Sequence, residues 1–227
     1  MVTVAIVGLD GAGKTTITQR LVQDLPFATA YLYMGMNPAS SNVSLPTTRL
    51  VHARKRRATR TASGETVALH SIVERRRSRG RVWSTFRLAN RLAEEAVRHG
   101  VALAHQARGK LVLADRDFFI DYAAAAKEPI SLLDRVHLWF LGSVLPKPDL
   151  VIWLDAAPEV LYRRKPEVPV SYLERRRARM AELRSMFVRF EVVDAERSED
   201  EVYRVVEGLV RSACAGHRVA IREREGS

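Results

Sequence analysis

The chain has 227 residues, of which 47% are hydrophobic, so it is too apolar for a disordered protein and long enough for an α/β domain with a buried core. Its formal net charge of +11 favours anionic partners such as phosphorylated substrates, nucleic acid or an anionic membrane surface. The absence of a long apolar run, of a signal peptide and of a second cysteine besides Cys214 predicts a cytoplasmic protein without an internal disulfide.

The first elements alternate between strand and helix patterns. Residues 3–7 form a short β-branched apolar run that predicts a buried strand, and residues 14–25 have helical spacing that Pro26 ends. Residues 28–34 predict a second strand. From about 36 to 80 the periodicity fades, which indicates a basic insertion or a mobile segment.

Much of the positive charge is local. Residues 52–81 contain ten lysines and arginines against two glutamates, a net contribution of +8. Such a segment can contact nucleic acid or an anionic membrane surface, or can form a solvated insertion.

The remaining chain continues the alternation. An apolar stripe of Leu88, Leu92, Ala96, Val97 and Leu103 predicts a long helix at 81–106, whose stripe suits core packing or a homodimer face. We then predict three strands, at 110–114, 150–154 and 190–193. We predict helices at 131–145, with Ser131 as its N-cap, from Pro158 onward, at 172–187 and at 198–213. Cys214 is expected to be a small buried hydrophobe near the end of the last helix.

This alternation predicts a parallel sheet of about five strands with helices on both faces. In such sheets, ligands lie at the carboxyl ends of the strands. Gly8, Asp115 and Asp155 each follow or end a predicted strand, so we expect them near one another.

The clearest motif is Gly-x-x-x-x-Gly-Lys-Thr at residues 8–15, between a strand and a helix. Its glycines allow backbone N–H groups to surround phosphate oxygens, and the helix directs its positive end at the same anion. Lys14 can bridge the β- and γ-phosphates of ATP, and the Thr15 hydroxyl can bind Mg²⁺. The predicted nucleotide-binding residues are Asp10, Gly11, Ala12, Gly13, Lys14, Thr15 and Thr16.

Other sequence features distinguish among the classes of protein that contain this kind of loop, namely GTPases, motor ATPases and small-molecule kinases. Residues 115–118 lack the glycine of the GTPase aspartate turn, and 146–149 lack the Asn or Thr of the guanine motif. We find no Asp-Glu pair typical of motor ATPases. The small-molecule kinases remain.

The chain resembles the thymidylate kinase-like group of nucleoside and nucleotide kinases. The matching segments are residues 8–16, 109–116, 148–155 with 158–159 and 163–165, and 192–195, in the same order and with similar spacing. The resemblance implies one P-loop kinase domain over 1–227, MgATP as phosphoryl donor and a small acceptor, most simply a nucleotide or nucleoside.

The resemblance also implies individual roles. Asp115 would order Mg²⁺ or accept the proton of the acceptor, and Arg116 would hold an anionic group of the acceptor or the transferring phosphoryl. A lid at about 163–180 would supply catalytic arginines, with Arg163 and Arg164 favoured. Because Asp10 occupies a loop position where some relatives carry a catalytic arginine, we expect that arginine to come from the lid.

The acceptor half departs from thymidylate kinases. Residues 31–38 lack the Arg-Glu-Pro-Gly-like segment, and Asp117 stands where an aromatic residue follows Asp-Arg. Asp117 and Asp121 would then form an acidic substrate pocket with Arg116, and carboxylates recognise hydroxyls better than phosphates. The alternatives are a kinase of a sugar or glycan hydroxyl, and a non-enzymatic ATP-binding module that docks on nucleic acid.

Overall fold

The computed structural model describes residues 2–35, 81–126 and 130–215, so the predicted basic insertion lies outside the described residues. Five strands alternate with helices along this part of the chain. The strands are β1 (Thr3–Gly8), β2 (Thr29–Tyr33), β3 (Leu111–Asp115), β4 (Leu150–Asp155) and β5 (Phe190–Asp194). The helices are α1 (Lys14–Asp24), α2 (Arg81–Ala107), α3 (Phe118–Ala125), α4 (Leu132–Ser143), α5 (Pro158–Arg164), α6 (Val170–Glu182) and α7 (Glu199–Cys214).

The strands form one parallel sheet in the order β2-β3-β1-β4-β5. The three central strands are near-continuous apolar runs because helices cover both faces of a parallel sheet. Ile6, Leu113 and Ile152, one from each of these strands, are fully buried. The prediction of a five-stranded α/β fold is confirmed, whereas a single domain over 1–227 stays a prediction.

Most predicted elements agree with the structure to within one or two residues. Ser131 is the N-cap of α4, accepting a hydrogen bond from the Asp134 amide, and Ser198 begins α7 with a reciprocal capping box. Cys214 is buried in the last turn of α7, as expected. These agreements rest on local signals, namely caps and apolar runs, which operate without tertiary contacts.

The structure contains one helix that the sequence analysis did not predict, and it changes the bounds of another. Sequence reasoning missed α3, because its Phe-Phe-Ile-Asp-Tyr-Ala-Ala-Ala segment is apolar on nearly every side and shows no helical period. The helix predicted at 172–187 instead begins at Val170, directly after Pro169, and ends at Glu182. A 3₁₀ turn, Leu183–Met186, follows and tightens the chain before β5.

The buried face of α2 also differs from the predicted stripe. Val97 and Leu103 are 42% and 49% exposed, whereas Glu94, Glu95 and Arg98 are buried. These charges are paired: Glu94 binds Arg98, and both Glu95 carboxylate oxygens lie 2.8 Å from His137 Nε2 on α4. The helix therefore joins its neighbours through polar groups, and the homodimer stays a prediction.

No helix among the described residues is long and apolar enough to cross a bilayer.

Gly100 offers a test of the continuity of α2. It is exposed in the helix interior, and a Cβ atom there would meet no neighbouring atom within 4 Å. Gly100→Ala should therefore raise the free energy of unfolding by about 0.5–1 kcal/mol, because alanine loses less backbone entropy in a helix. Urea denaturation measures this change.

The matched control is Gly142→Ala in α4, where the new Cβ would lie 3.1 Å from Phe119 Cε2. That crowding should remove the gain seen at Gly100. Destabilisation by Gly100→Ala would contradict a helix that runs unbroken through this residue.

Candidate functional site

The loop between β1 and α1 is shaped by three glycines in the left-handed half of backbone space, Gly8, Gly11 and Gly13. A Cβ on Gly8 would lie 2.6 Å from the Leu154 carbonyl oxygen, and one on Gly11 would lie 3.1 Å from that of Leu161. The first and second glycines thus let the loop lie directly against β4 and α5.

The N-terminus of α1 is open to an anion. Gly13 is its N-cap with φ 83°, and no side chain caps the helix. The first-turn N–H groups, which lack partners within the helix, therefore face the loop together with the positive end of the helix dipole. This is the geometry expected of a phosphate-binding helix start.

Lys14 lies inside this loop and is almost fully buried. Its Nζ donates a hydrogen bond of 2.7 Å to the Leu9 carbonyl oxygen. Burial, together with the nearby Arg116 guanidinium, lowers the pKa of Lys14 to about 8, although Asp10 and Asp121 oppose the shift. The ammonium is thus held in the loop at a considerable electrostatic cost, which a bound phosphate would relieve.

Asp115, at the carboxyl end of β3, is fully buried and its two oxygens differ. Oδ2 accepts hydrogen bonds from the Thr15 hydroxyl at 2.7 Å and from the Tyr31 hydroxyl at 3.0 Å. Oδ1 has no hydrogen-bond partner among the described residues. Burial and the Asp115 carboxylate raise the pKa of Tyr31, so its phenol remains a donor at neutral pH.

This donor set fits Mg²⁺. The Thr15 hydroxyl and a buried carboxylate with an unpartnered oxygen are hard oxygen ligands, which Mg²⁺ prefers. The described part of the chain contains no group of three or more His, Cys, Asp or Glu that could hold a metal. A site with few protein ligands is typical of Mg²⁺ that binds mainly through substrate phosphates.

Arg116 connects the loop to α3. Its backbone is left-handed with φ 78°, unusual for a non-glycine residue, and its amide donates to the Ile6 carbonyl oxygen at 2.9 Å. Its guanidinium lies 2.5 Å from Asp10 Oδ1 and 3.4 Å from Asp121 Oδ2. A Cβ on Gly35 would collide with Arg116 Cδ, so a glycine there makes room for the arginine.

Two carboxylates therefore flank Arg116, and their environments differ. Burial alone would raise the pKa of Asp10, but Arg116 and Lys14 bring it below its usual value. Burial raises the pKa of Asp121, although Arg116 and Arg176 partly offset this. Arg176, which sequence reasoning did not single out from the basic run in α6, lies 3.5 Å from Asp121 Oδ1 and is buried.

The structure does not bring Asp117 into this network. Its carboxylate accepts a hydrogen bond from the Ile120 amide and thereby caps α3. It lines a cavity of about 40 Å³ with Thr3 and Lys147, which lie at the amino ends of β1 and β4. Burial raises its pKa to about 6. The two aspartates predicted to share an acidic pocket therefore have different surroundings. Asp121 lies beside Arg116, whereas Asp117 caps the helix that carries Asp121.

A cleft of about 230 Å³ lies on the other side of the loop. Gly11, Gly13 and Thr16 line it together with Arg164 and Ala195. Arg164 donates a hydrogen bond of 2.8 Å to the Ala195 carbonyl oxygen, so it flanks this cleft rather than the Arg116 network. Arg163 is exposed on the same turn of α5.

The segment after β4 is tied to the sheet by one bidentate ion pair. Arg177 Nε and Nη2 on α6 lie 2.8 Å and 2.6 Å from the two Asp155 oxygens. Asp155 thus braces α6 at the carboxyl edge of the sheet, the edge at which Gly8 and Asp115 also lie.

Comparison with known proteins adds to this geometry. The chain is 27% identical over 223 residues to the thymidylate kinase of Xanthomonas euvesicatoria pv. vesicatoria and 28% identical over 222 residues to that of Xanthomonas oryzae pv. oryzae. Each alignment covers 93% of this chain and 84% of the relative. The chain is thus similar over most of its length to thymidylate kinases, and this weak homology supports a divergent P-loop kinase of that type.

The fold of the chain is similar to that of a solved deoxyadenosine kinase from M. mycoides, whose structure contains the products dCMP and a flexible dCDP. The TM-score is 0.55 at 18% sequence identity, over 92% of this chain and 99% of the other. No family model matches the sequence.

The pKa of Lys14 generates a prediction for triphosphate binding. A bound triphosphate favours the charged ammonium, whereas the free protein loses that proton near pH 8. Affinity for ATP should therefore weaken as pH rises through about 8, and binding above that pH should take up a proton. Isothermal titration calorimetry from pH 6.5 to 9.5 in buffers of different ionisation enthalpy measures both effects.

Lys14→Met is the control for this titration. It should bind ATP weakly at every pH and without the proton uptake. A wild-type affinity that stays constant across pH 8 would contradict the assignment of the titrating group to Lys14.

Proposed function

We propose that this kinase transfers the γ-phosphoryl group of MgATP to a nucleotide or a nucleoside. The observation that carries the proposal is the convergence of Lys14, Thr15, Asp115 and Arg116 at the carboxyl ends of β1 and β3. Phosphoryl transfer needs positioning and charge stabilisation more than covalent chemistry, and these four groups supply both. Thymidylate kinases are among the relatives of the chain, which supports the same class of acceptor.

On the donor side, the loop amides from Asp10 to Thr16 and the start of α1 hold the phosphates, with Lys14 between the β- and γ-groups. Thr15 and Asp115 would hold Mg²⁺, which neutralises charge on the phosphate oxygens when bound. The 230 Å³ cleft beside Arg164 and Ala195 adjoins the loop and suits the adenosine part of the donor.

On the acceptor side, Arg116 orients the acceptor, and Asp115 either organises the metal or receives the acceptor proton. We propose that Arg163 and Arg164 close on the donor phosphates as part of a lid spanning about 163–180. Their exposure on α5 supports this role, because an exposed arginine can change rotamer at little cost. Arg176 is less suited to it, since its side chain is buried against Asp121.

A sugar or glycan hydroxyl is the second candidate acceptor. The carboxylates of Asp10 and Asp121 beside Arg116 favour it, because a carboxylate accepts a hydrogen bond from any hydroxyl. A panel of nucleoside monophosphates, nucleosides and sugars, with ADP release as the signal, distinguishes these acceptors.

Lys14→Ala tests the proposed phosphoryl transfer. Loss of one charge contact to the transferring group should lower the rate by about 10²–10³ while the protein stays folded. ADP release with the best acceptor measures the rate, and circular dichroism checks the fold.

The matched control is Lys147→Ala, since Lys147 lies before the amino end of β4 and donates to the Met186 carbonyl oxygen. It should keep nearly the wild-type rate. Near-normal turnover in Lys14→Ala would refute the proposed role of the loop.

A further inference from the structure

The carboxylate of Asp121 lies where the acceptor side of the site begins. It reaches Arg116 on one oxygen and Arg176 on the other, at 3.4 Å and 3.5 Å. Asp10 Oδ1 lies 2.5 Å from Nη2, the other terminal nitrogen of Arg116. Both arginines that contact Asp121 are thus already paired with carboxylates in the described part of the chain.

These pairs are buried, which makes them costly to break. Asp121 and Arg176 are 6% and 9% exposed. Removing one partner of a buried ion pair leaves an uncompensated buried charge, which is strongly destabilising. Asp121 is also fixed in place, because the Asp117 cap holds the first turn of α3. A phosphate on the acceptor would have to displace this carboxylate from its arginines.

A hydroxyl group complements the same atoms without displacing them. A carboxylate only accepts hydrogen bonds, and Arg176 Nε is a buried donor without a partner among the described residues. A hydroxyl can donate to a carboxylate and accept from an N–H, whereas a phosphate dianion only accepts and is repelled by carboxylates.

We propose that Asp121 is a specificity-determining residue that selects an uncharged hydroxyl acceptor, so that the enzyme phosphorylates a nucleoside in preference to a nucleoside monophosphate. This inference rests on the proposed kinase function. Asp121 balances the charge of Arg116 and Arg176, and it also offers the acceptor hydroxyl a carboxylate oxygen.

The test uses matched pairs, each a nucleoside and its own 5′-monophosphate, with the full-length protein and MgATP. The ratio of kcat/KM within each pair is the readout. Wild-type protein should prefer the nucleoside by about tenfold or more, because the phosphate charge of the monophosphate is repelled by the Asp121 carboxylate.

Asp121→Asn removes the negative charge but keeps the size of the side chain. It should move the ratio at least about tenfold toward the monophosphate, mainly through a lower KM for the monophosphate. The control is Asp24→Asn, at the end of α1, whose carboxylate forms an exposed pair with Arg20 and should leave the ratio unchanged.

Each outcome decides one claim. A wild-type preference for monophosphates would overturn this inference and leave the proposed kinase function standing. An unchanged ratio in Asp121→Asn would remove Asp121 as the selecting residue. Absence of ADP release with every acceptor would refute the proposed kinase function itself. ADP release with free sugars alone would overturn the nucleoside acceptor and favour a sugar hydroxyl instead. If Asp121→Asn does not fold, the wild-type ratio still decides the acceptor class.

Discussion

The parallel pairing of β1 with β3 and β4 is the constraint on which the site depends. Ile6 is in register with Asp115, and Gly8 with Leu154, so the glycine-rich loop after β1 and Asp115 lie at the same edge of the sheet. Thr15 then lies close enough to donate to Asp115 across one hundred positions of sequence. The loop lies directly against β4 at this edge, and it can do so because Gly8 has no Cβ that would collide with the Leu154 carbonyl oxygen.

Charge balance is the second organising feature. Lys14, Arg116 and Arg176 bring three positive charges into a partly buried region, where unpaired charges are costly. Asp10, Asp115 and Asp121 bring three negative charges into the same region. If the proposed function holds, a triphosphate would enter a site in which these charges are balanced, and Lys14, the α1 terminus and a metal held by Thr15 and Asp115 would offset its charge. Arg116 and Arg176 are both paired with carboxylates in this region.

Helices outside the sheet carry polar groups for structural reasons as well. The Glu95–His137 contact joins α2 to α4, and the Arg177–Asp155 pair joins α6 to β4. Arg98 on α2 donates to the Tyr33 and Gly35 carbonyl oxygens, which positions the end of β2 beside Arg116. A charged residue near the site is thus not by itself a functional one, and Asp117 illustrates the difference.

Local signals in the sequence determined much of this protein. The apolar runs predict the five strands, and Ser131 and Ser198 mark the starts of two helices. The glycine-rich turn is likewise a local signal, because it depends on residues close together in the chain. Tertiary structure alone decided which polar groups meet. Tyr31 reaches Asp115 only because β2 pairs with β3, and Arg176 reaches Asp121 only because α6 packs on α3. Spacing in the sequence does not predict such contacts, because they depend on the order of the strands and the packing of the helices.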